Sequence, residues 1–434
     1  MVGFNKKTIK DISLTGKRVL LRADYNVPDI AGKITDDFRI KQSIPTLEYI
    51  LKQKPNGLII MSHMGRPKGF DKTLSLQPVA RHLSQLLGRK VFFVPDCVGE
   101  EVKSIASRLK PTDILLLENL RFYPGEEENE TQLAKNLVDS TSAEIFVQDG
   151  FGVVHRAHAS TVAITKLLPS VAGLLLEKEV ETITKVMKSP NHPLVAIIGG
   201  AKIKDKIEVL HCLIDLADCV AIGGAMANNF LKIEGYETGS SLYDKEDLRL
   251  TKDILAKVKN KACRQPFSFL LPVDAIVSKN INGRAPIRIV DLSSRSLAEI
   301  EAYPKIPKRD TYTVGKAEAI FDIGPVSSGL IAGAVELAKT VIWNGTMGVT
   351  ETKGINGAQA PFSNGTRTIA EAIIGPSNKH LSKAFSLVGG GDTVGYIEAE
   401  GLTEDFSHVS TGGGASLELM AGKELPGIEA LPNK

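Results

Sequence analysis

The chain has 434 residues, of which 43% are hydrophobic and 24% are charged, and its formal net charge is +3. This length suits two globular domains of about 200 residues each, and the composition excludes a disordered chain. The longest charge-free stretches are shorter than the roughly 18 apolar residues that a membrane-spanning helix needs, so we expect no membrane partner. The small net charge gives no indication of a nucleic-acid partner either.

The N-terminal segment and the cysteines both favour a cytoplasmic protein. The first residues have neither the apolar core of a secretory signal nor the Arg- and Ser-rich, acid-poor composition of a transit peptide. The four cysteines are Cys97, Cys212, Cys219 and Cys263, and they form no C-x-x-C pair. So few cysteines argue against a disulfide scaffold and favour free thiols in a reducing compartment.

Short β-branched or leucine-rich runs recur along the chain, and each ends in glycine or polar residues before a segment with helical spacing. The predicted strands are Arg18–Arg22, Leu58–Met61, Val91–Val94, Ile114–Leu117, Ile145–Val147, Leu194–Ile198, Cys219–Ile222, Phe267–Leu271, Ala319–Ile323, Val341–Trp343, Phe385–Val388 and His408–Val409. Apolar runs that alternate with helices predict parallel sheets covered on both faces. Ligands of such sheets bind beyond the carboxyl ends of the strands, so the residues after each run are the candidates for chemistry.

One amphipathic helix separates the two halves of the chain. Leu176, Val180 and Ile183 share a face of the helix predicted over 174–188, and Pro190 ends it. We place the boundary between the two domains at this helix.

Cationic side chains follow four of the first five predicted strands. They are Arg39, His63, Arg66, Arg121 and Arg156. If these strand ends converge, the side chains form a cationic basin, and the planar guanidinium fork suits phosphate or carboxylate. Asp24 and Asn26 follow the first strand and can accept hydrogen bonds from a ligand hydroxyl. The first half of the chain therefore predicts an anion site. His155 and His158 lack a third ligand at suitable spacing, so we predict no metal there.

Glycine clusters follow predicted strands in the second half. They are Gly199-Gly200, Gly223-Gly224, Gly389–Gly391 and Gly412–Gly414. Glycine lets backbone N–H groups approach a phosphate, and the N-terminus of the following helix adds partial positive charge. Lys202, Lys204 and Lys206 follow the first cluster, and Asp392 offers a carboxylate for Mg²⁺ that bridges phosphates. This half predicts a phosphate or nucleotide site.

Two other classes of protein share parts of this pattern. An NAD-dependent dehydrogenase needs a G-x-G-x-x-G fingerprint, and the sequence contains neither that motif nor a Walker A motif. A non-catalytic protein that closes on one anion needs the cationic basin, but it has no need of Lys202, Asp392 and Glu351 together. An anion site in one half and a phosphate site in the other favour a phosphotransferase that closes and expels water.

Eight motifs, taken in order, resemble the phosphoglycerate kinase family, and the resemblance runs from about Leu14 to Leu425. The motifs are GKRVLLRADYNVP (16–28), SHMGRP (62–67), ENLRF (118–122), HRAHAST (155–161), IIGGAKIKDKI (197–207), WNGTMG (343–348), VGGGDT (388–393) and STGGGASLEL (410–419). The resemblance implies an α/β protein with two doubly wound, Rossmann-like parallel-sheet domains facing each other across a cleft. The implied parts are an N-terminal phosphoglycerate-binding domain (1–173), a hinge helix (174–190), a C-terminal nucleotide-binding domain (191–410) and a tail that returns to the N-terminal domain (411–434).

The resemblance also implies an activity. Members of the family transfer a phosphoryl group reversibly between 1,3-bisphosphoglycerate and ADP, which gives 3-phosphoglycerate and ATP, with Mg²⁺ as cofactor. It implies that phosphoglycerate is bound by Asp24, Asn26, Arg39, His63, Arg66, Arg121 and Arg156. Arg39 and Lys202 would steady the phosphoryl group in transit. A cytoplasmic monomer in glycolysis and gluconeogenesis is the corresponding expectation.

The implied nucleotide site lies in the second half. Its residues are Lys206, Gly223, Gly224, Glu351, Gly390, Gly391, Asp392 and Thr393. Among them Glu351 would hold the ribose and Asp392 the magnesium ion, while Gly413 and Gly414 would add backbone donors. Four positions depart from the usual pattern of the family, namely Gly150 (usually Ala), Ile320 (often Gly), Thr346 (usually Pro) and Thr350 (usually Phe). We expect these four to touch the wall of the nucleotide pocket or strand ends and not the charged groups.

Overall fold

The computed structural model describes residues 4–30, 32–292, 313–354, 360–375 and 383–434. The chain divides into two compact units. Unit 1 comprises Met1–Lys185 and Thr411–Lys434, and unit 2 comprises Val186–Ser410. Within the part of the chain that the structure describes, no helix combines the length and the apolar character needed to cross a bilayer.

A six-stranded parallel sheet lies at the centre of unit 1. Its strands are β1 (Val19–Arg22), β4 (Leu58–Met61), β5 (Val91–Phe93), β6 (Ile114–Leu116), β7 (Ile145–Gln148) and β8 (Ser170–Ala172), in the spatial order β5-β6-β4-β1-β7-β8. Between β1 and β4, the short strands β2 (Asp29–Ile30) and β3 (Lys33–Ile34) pair antiparallel. Strand β1 is central, since Val19 pairs with Leu58 on one side and with Ile145 on the other.

Helices cover both faces of this sheet, which is why its strands appear in the sequence as continuous apolar runs. Val19 and Leu21 pack into the core on one face, and Leu20 packs into the core on the other face. The first core takes side chains from α1 (Phe38–Lys52) and α2 (Gln77–Leu87). The second core takes side chains from α3 (Glu100–Ser107) and α4 (Thr131–Thr141).

The end of the chain belongs to unit 1. Lys6 forms an isolated antiparallel bridge with Asn433, and the N–H of Gly427 donates to the carbonyl of Val154 at 2.8 Å. Two short helices, α12 (Gly414–Met420) and α13 (Pro426–Glu429), lie in this tail. Helix α5 (Leu174–Lys188) includes the point where the chain passes from unit 1 to unit 2. Two parallel-sheet α/β domains and a returning tail are thus confirmed, whereas the hinge role of α5 and the predicted domain bounds stay predictions.

A second six-stranded parallel sheet lies in unit 2. Its strands are β9 (Leu194–Ile198), β10 (Cys219–Ile222), β11 (Ser268–Leu270), β15 (Thr340–Asn344), β16 (Phe385–Gly389) and β17 (His408–Val409), in the order β11-β10-β9-β15-β16-β17. The described helices of this unit are α6 (Ile207–Leu216), α7 (Ala227–Ile233), α8 (Asp247–Ala262), α9 (Pro325–Glu336), α10 (Asn364–Ile374) and α11 (Gly391–Ala399). The strand order reverses between β9 and β15, and ligands of doubly wound sheets bind at such a reversal.

Unit 2 also contains a separate antiparallel sheet, which differs from the parallel pairing predicted for Ala319–Ile323. Strands β12 (Asp274–Ser278), β13 (Ile287–Asp291) and β14 (Ala319–Ile323) form it in the order β13-β12-β14. The prediction that Ala319–Ile323 contributes to a parallel sheet is wrong, because β14 pairs antiparallel with β12. An apolar run specifies an extended segment but not the direction of its partner, and its partner β12 was not predicted.

Asp149, directly after β7, provides a test of this local structure. Its Oδ1 accepts hydrogen bonds from the backbone N–H groups of Leu175 (3.0 Å) and Leu176 (3.2 Å) at the start of α5, and its Oδ2 has no hydrogen-bond partner among the described residues. Burial raises the pKa of Asp149 to about 7. Because this pKa lies above that of the unfolded chain, the stability that the protonated form contributes is lost as pH rises through about 7.

The substitution Asp149→Asn keeps an oxygen that can cap α5 and removes the buried charge. We expect the variant's stability relative to wild type to improve by roughly 2–3 kcal/mol between pH 5 and pH 8. Urea unfolding of both proteins at the two pH values measures this change. A difference between wild type and variant that is the same at both pH values would show that Asp149 is ionised throughout.

Candidate active site

Most of the residues predicted to bind an anion in unit 1 meet beyond the carboxyl ends of β1, β4 and β6. Arg39 Nη1 donates to the carbonyl of Asn26 at 2.7 Å and lies 3.7 Å from Asp24 Oδ2. Asn26 Oδ1 accepts from the N–H of Gly65 at 2.9 Å, and Arg121 Nη1 donates to the carbonyl of Gly65 at 2.6 Å. These bonds hold two guanidinium groups, one carboxylate and one amide around the turn at Gly65.

His63 lies next to this cluster and beside Arg22, a cation that was not among the predicted site residues. Arg22, the last residue of β1, is completely buried, and its Nη2 lies 3.3 Å from His63 Nδ1. Arg22 Nε donates to Ser160 Oγ at 2.8 Å, and Asp24 Oδ1 lies 3.8 Å from His63 Nδ1. Burial, followed by the charges of Arg22, Arg121 and Arg39, holds the pKa of His63 well below its usual value. His63 is therefore neutral at physiological pH.

Two further histidines of unit 1 are also neutral. Burial, reinforced by neighbouring arginines, lowers the pKa of His155 to about 4 and that of His158 to about 3. Arg156 Nε donates to His155 Nε2 at 3.1 Å, and the charge of Arg156 helps to lower the pKa of Arg121, so Arg156 lies near the cluster. Arg66 is exposed on the turn after β4, and the described contacts do not tie its side chain to the other members.

Unit 2 places a partly buried lysine at the point where the strand order reverses. Lys206 Nζ donates to the carbonyl of Gly199 (2.7 Å), to the carbonyl of Asn344 (3.1 Å) and to Asn344 Oδ1 (2.7 Å). Gly199 follows β9 directly, and Asn344 ends β15. Burial lowers the pKa of Lys206 to about 8, and the carboxylates of Asp392 and Asp205 oppose that shift. The result is a positive charge held by neutral oxygens at the ligand-binding edge of the sheet.

Close backbone packing surrounds this lysine. Gly224 has φ +65°, and a Cβ there would collide with the backbone nitrogen of Gly200. Gly223 donates its N–H to the carbonyl of Ile198 at 2.9 Å. Thr393 is buried, and its Oγ1 accepts from the N–H of Gly345 at 2.7 Å. Gly223 and Gly224 therefore stand at positions where a side chain would not fit.

Helix α11 brings the remaining polar groups to the same edge. Gly390, with φ +93°, precedes the helix. Gly391 and Asp392 are the first two residues of the helix, and both are exposed. Lys202 is exposed on the segment after β9. By contrast, Gly413 and Gly414 belong to unit 1, where a Cβ on Gly414 would lie 3.6 Å from His155 Nε2.

A cavity of about 220 Å³ opens beside these groups within unit 2. Its apolar lining includes Leu231, Leu242, Ile320, Phe321, Met347 and Val349. Gly224, Glu351 and Asp392 also line it, so three of the predicted nucleotide-site residues share one cavity. Of the four unusual positions, Ile320 and Thr346 line the cavity as expected.

Two buried polar residues of this cavity were not predicted. They are Asn228, on α7, and Asp322, near the end of β14. Asp322 accepts from the N–H groups of Ile323 (2.9 Å) and Gly365 (2.8 Å), and burial raises the pKa of Asp322 to about 7. The sequence indicated Asp322 only as an acidic residue near the end of a predicted strand. No feature of the sequence indicated Asn228.

Comparisons with known proteins agree with this architecture. The family model for phosphoglycerate kinase matches residues 9–423. A phosphoglycerate kinase of Dictyoglomus turgidum is 45% identical over 432 residues, which cover 99% of this chain and 100% of that relative. The solved phosphoglycerate kinase of Coxiella burnetii has a TM-score of 0.76 and 37% identity, and that of Pyrococcus horikoshii has a TM-score of 0.81 and 29% identity. Each of these two structures and this chain cover 98% of one another.

The family match extends over nearly the whole chain, as the sequence motifs predicted. The solved structures show that the likeness includes the fold of both domains. The chain therefore belongs to the phosphoglycerate kinase family and catalyses the reversible, glycolytic transfer of a phosphoryl group between 1,3-bisphosphoglycerate and ADP, giving 3-phosphoglycerate and ATP.

Proposed function

We propose that unit 1 binds phosphoglycerate at its arginine cluster and that unit 2 binds the nucleotide at the edge marked by Lys206. The main support is the position of Lys206, a partly buried cation whose three hydrogen bonds all go to neutral oxygens where the strand order reverses. Among the described residues Lys206 has no carboxylate within ion-pair distance, although Asp392 and Asp205 act on it from further away. A phosphate would supply a direct anionic partner.

The arginine cluster suits a small ligand with a phosphate and a carboxylate. Arg39, Arg66, Arg121 and Arg156 would provide guanidinium forks for the anionic groups. Asp24 and Asn26 would accept from the ligand hydroxyl, and the neutral ring of His63 can donate or accept one hydrogen bond. The substrate-binding role of all seven predicted residues is part of this proposal.

The nucleotide phosphates would lie at Lys206, close against the backbone of Gly223 and Gly224, and at the N–H groups of Gly390 and Gly391, with Thr393 fixing the loop after β15. Asp392 suits Mg²⁺, since this ion usually takes one or two protein carboxylates and completes its shell with phosphate oxygens and water. When bound there, Mg²⁺ would neutralise phosphate charge. Glu351 lines the cavity from an exposed position and would hold the ribose.

The chemistry requires charge neutralisation and alignment but no general base. The acceptor for ATP is a carboxylate, whose pKa near 3.5 leaves it ionised at neutral pH. His63, His155 and His158, all of lowered pKa, are not needed as bases. We propose that Arg39 and Lys202 stabilise the phosphoryl group in transit and that Gly413 and Gly414 add backbone N–H donors. Closure about the hinge 174–190, between domains 1–173 and 191–410, would exclude water.

The cellular setting is part of the proposal as well. We infer a cytoplasmic enzyme that acts as a monomer, with phosphoglycerate and nucleotide substrates as its partners and without a nucleic-acid or membrane partner. The four cysteines, each within a described range, are free thiols, which suits a reducing compartment. The net charge of +3 suggests no general affinity for nucleic acid.

Replacing Lys206 tests the assignment of the two sites. We expect Lys206→Met to raise the Kd for MgADP by about 10²-fold, since a charge-assisted contact is lost, and to leave the Kd for 3-phosphoglycerate nearly unchanged. Isothermal titration of each ligand measures both constants. Lys204→Met, an exposed neighbour, serves as the matched control. Normal MgADP binding by Lys206→Met would contradict the proposed nucleotide site.

The pH dependence of nucleotide binding provides a second test. Lys206 carries its charge below a pKa of about 8 and loses it above that value. The affinity of wild type for MgADP should therefore fall above pH 8, by up to about tenfold per pH unit, whereas Lys206→Met should show no such decline. A wild-type affinity that stays constant to pH 9.5 would show that the charge of Lys206 does not contribute.

A further inference from the structure

An unpaired hydrogen-bond acceptor is buried at the wall of the cavity in unit 2. Asn228 lines this cavity, is fully buried, and has an Oδ1 without a hydrogen-bond partner among the described residues. A buried polar atom without a partner destabilises the fold, so native structures seldom keep one without a reason. The adjoining lining is apolar, with Leu231, Leu242 and Ile320.

The orientation of the Asn228 amide is set by its other end. Its Nδ2 donates to the carbonyl of Leu242 at 2.9 Å. A carbonyl can only accept, so exchanging the two ends of the amide would place two acceptors against each other. The oxygen of Asn228 is therefore the end left to receive a donor.

The neighbouring Asn229 is a structural asparagine, because both ends of its side-chain amide are hydrogen-bonded within the protein. Its Nδ2 donates to the carbonyl of Asp244 at 2.7 Å, and its Oδ1 accepts from the N–H of Asp244 at 3.3 Å. Both residues lie on α7, are buried, and bind the segment that contains Leu242 and Asp244. Asn229 uses both ends of its amide for this purpose, and Asn228 uses only one.

We propose that Asn228 Oδ1 accepts a hydrogen bond from the exocyclic amine of the nucleotide base and so makes this enzyme selective for adenine. The proposal rests on the nucleotide site proposed above, with the base in this cavity. Adenine carries an amine at C6, where hypoxanthine carries a carbonyl oxygen. The amine would satisfy Asn228, whereas the carbonyl would face it as a second acceptor. Asp322 also lines this cavity. Its ionised carboxylate can only accept hydrogen bonds, so it would offer no donor to the carbonyl of hypoxanthine.

The experiment compares three nucleotides in the kinase assay with 1,3-bisphosphoglycerate. They are ADP, IDP and purine riboside diphosphate, which has hydrogen in place of the amine. For wild type we expect kcat/KM for ADP to exceed that for purine riboside diphosphate by roughly three- to tenfold, and that for IDP by at least as much. Equal values for ADP and purine riboside diphosphate would overturn the proposal without any variant.

Variants then locate the selectivity. In Asn228→Leu the preference for ADP over purine riboside diphosphate should fall to about one, whatever the general effect on stability or rate. In Asn229→Leu, which loses similar contacts to the same segment, the preference should remain. A preference that survives in Asn228→Leu would overturn the role of this residue. Absence of transfer with every nucleotide in folded wild type would instead count against the proposed function.

Discussion

Lys202→Ala is expected to lower kcat by about 10²–10⁴, because a charge that acts mainly in the transition state is lost. Lys202 is exposed, and its side chain enters none of the hydrogen bonds or ion pairs found among the described residues. Its removal should therefore leave the stability of the protein unchanged. Binding of 3-phosphoglycerate and of MgADP, measured separately by titration, should change much less than kcat.

The control for this experiment is Lys204→Ala, since Lys204 is exposed two residues further along the same segment. Wild type, Lys202→Ala and Lys204→Ala are compared by steady-state turnover at saturating substrates. A kcat near the wild-type value for Lys202→Ala would remove this lysine from the proposed mechanism. An equal loss in both variants would point to the general charge of the segment and not to one lysine.

Arg39→Ala is expected to lower kcat by about 10²–10³ and also to raise KM for 3-phosphoglycerate. The two effects occur together because Arg39 is proposed to bind the substrate and to steady the phosphoryl group. Its Nη1 is held by the carbonyl of Asn26 at 2.7 Å and lies near Asp24, so the guanidinium is oriented before the substrate arrives. Binding of MgADP should stay within about twofold, since Arg39 lies in unit 1.

A conservative change separates the charge of Arg39 from its shape. Arg39→Lys keeps the positive charge but not the planar fork, so we expect only partial recovery of kcat. Arg81→Ala, an exposed arginine of the same unit, should behave as wild type. Full activity of Arg39→Lys would show that the fork is not required, and an unchanged kcat in Arg39→Ala would exclude Arg39 from catalysis.

The parallel strands were predictable because burial on both faces leaves a clear run of apolar residues, as in Leu58–Met61 or Leu194–Ile198. Strand β13 was missed because its pattern mixes exposed and buried positions, with Ile287 and Ile289 exposed. Strand β12 is fully buried, but polar Asp274 and Ser278 leave it an apolar run of only three residues, and the direction of β14 depends on its pairing with β12. Pairing between segments that are distant in sequence leaves no mark in local periodicity.

The charged part of the site was predictable for a related reason. Parallel strands bring their carboxyl ends to one edge, so residues such as Arg39, His63 and Arg121 could be grouped without knowing their distances. The cavity residues could not be found in this way. Asn228 becomes notable only because its amide nitrogen is bound to Leu242 and its oxygen is not bound. This difference between the two ends of the amide depends on tertiary contacts, and the spacing of residues along the sequence does not reveal it.

We propose that transfer depends on fixed charges and Mg²⁺ and not on a general base. The most direct test is the turnover of wild type with 3-phosphoglycerate and ATP at saturating Mg²⁺ between pH 6.5 and pH 8. We predict Mg²⁺-dependent formation of 1,3-bisphosphoglycerate with a kcat that hardly changes over this range. A kcat that falls about tenfold per pH unit as pH decreases below 7 would instead reveal an essential base and contradict the proposed mechanism.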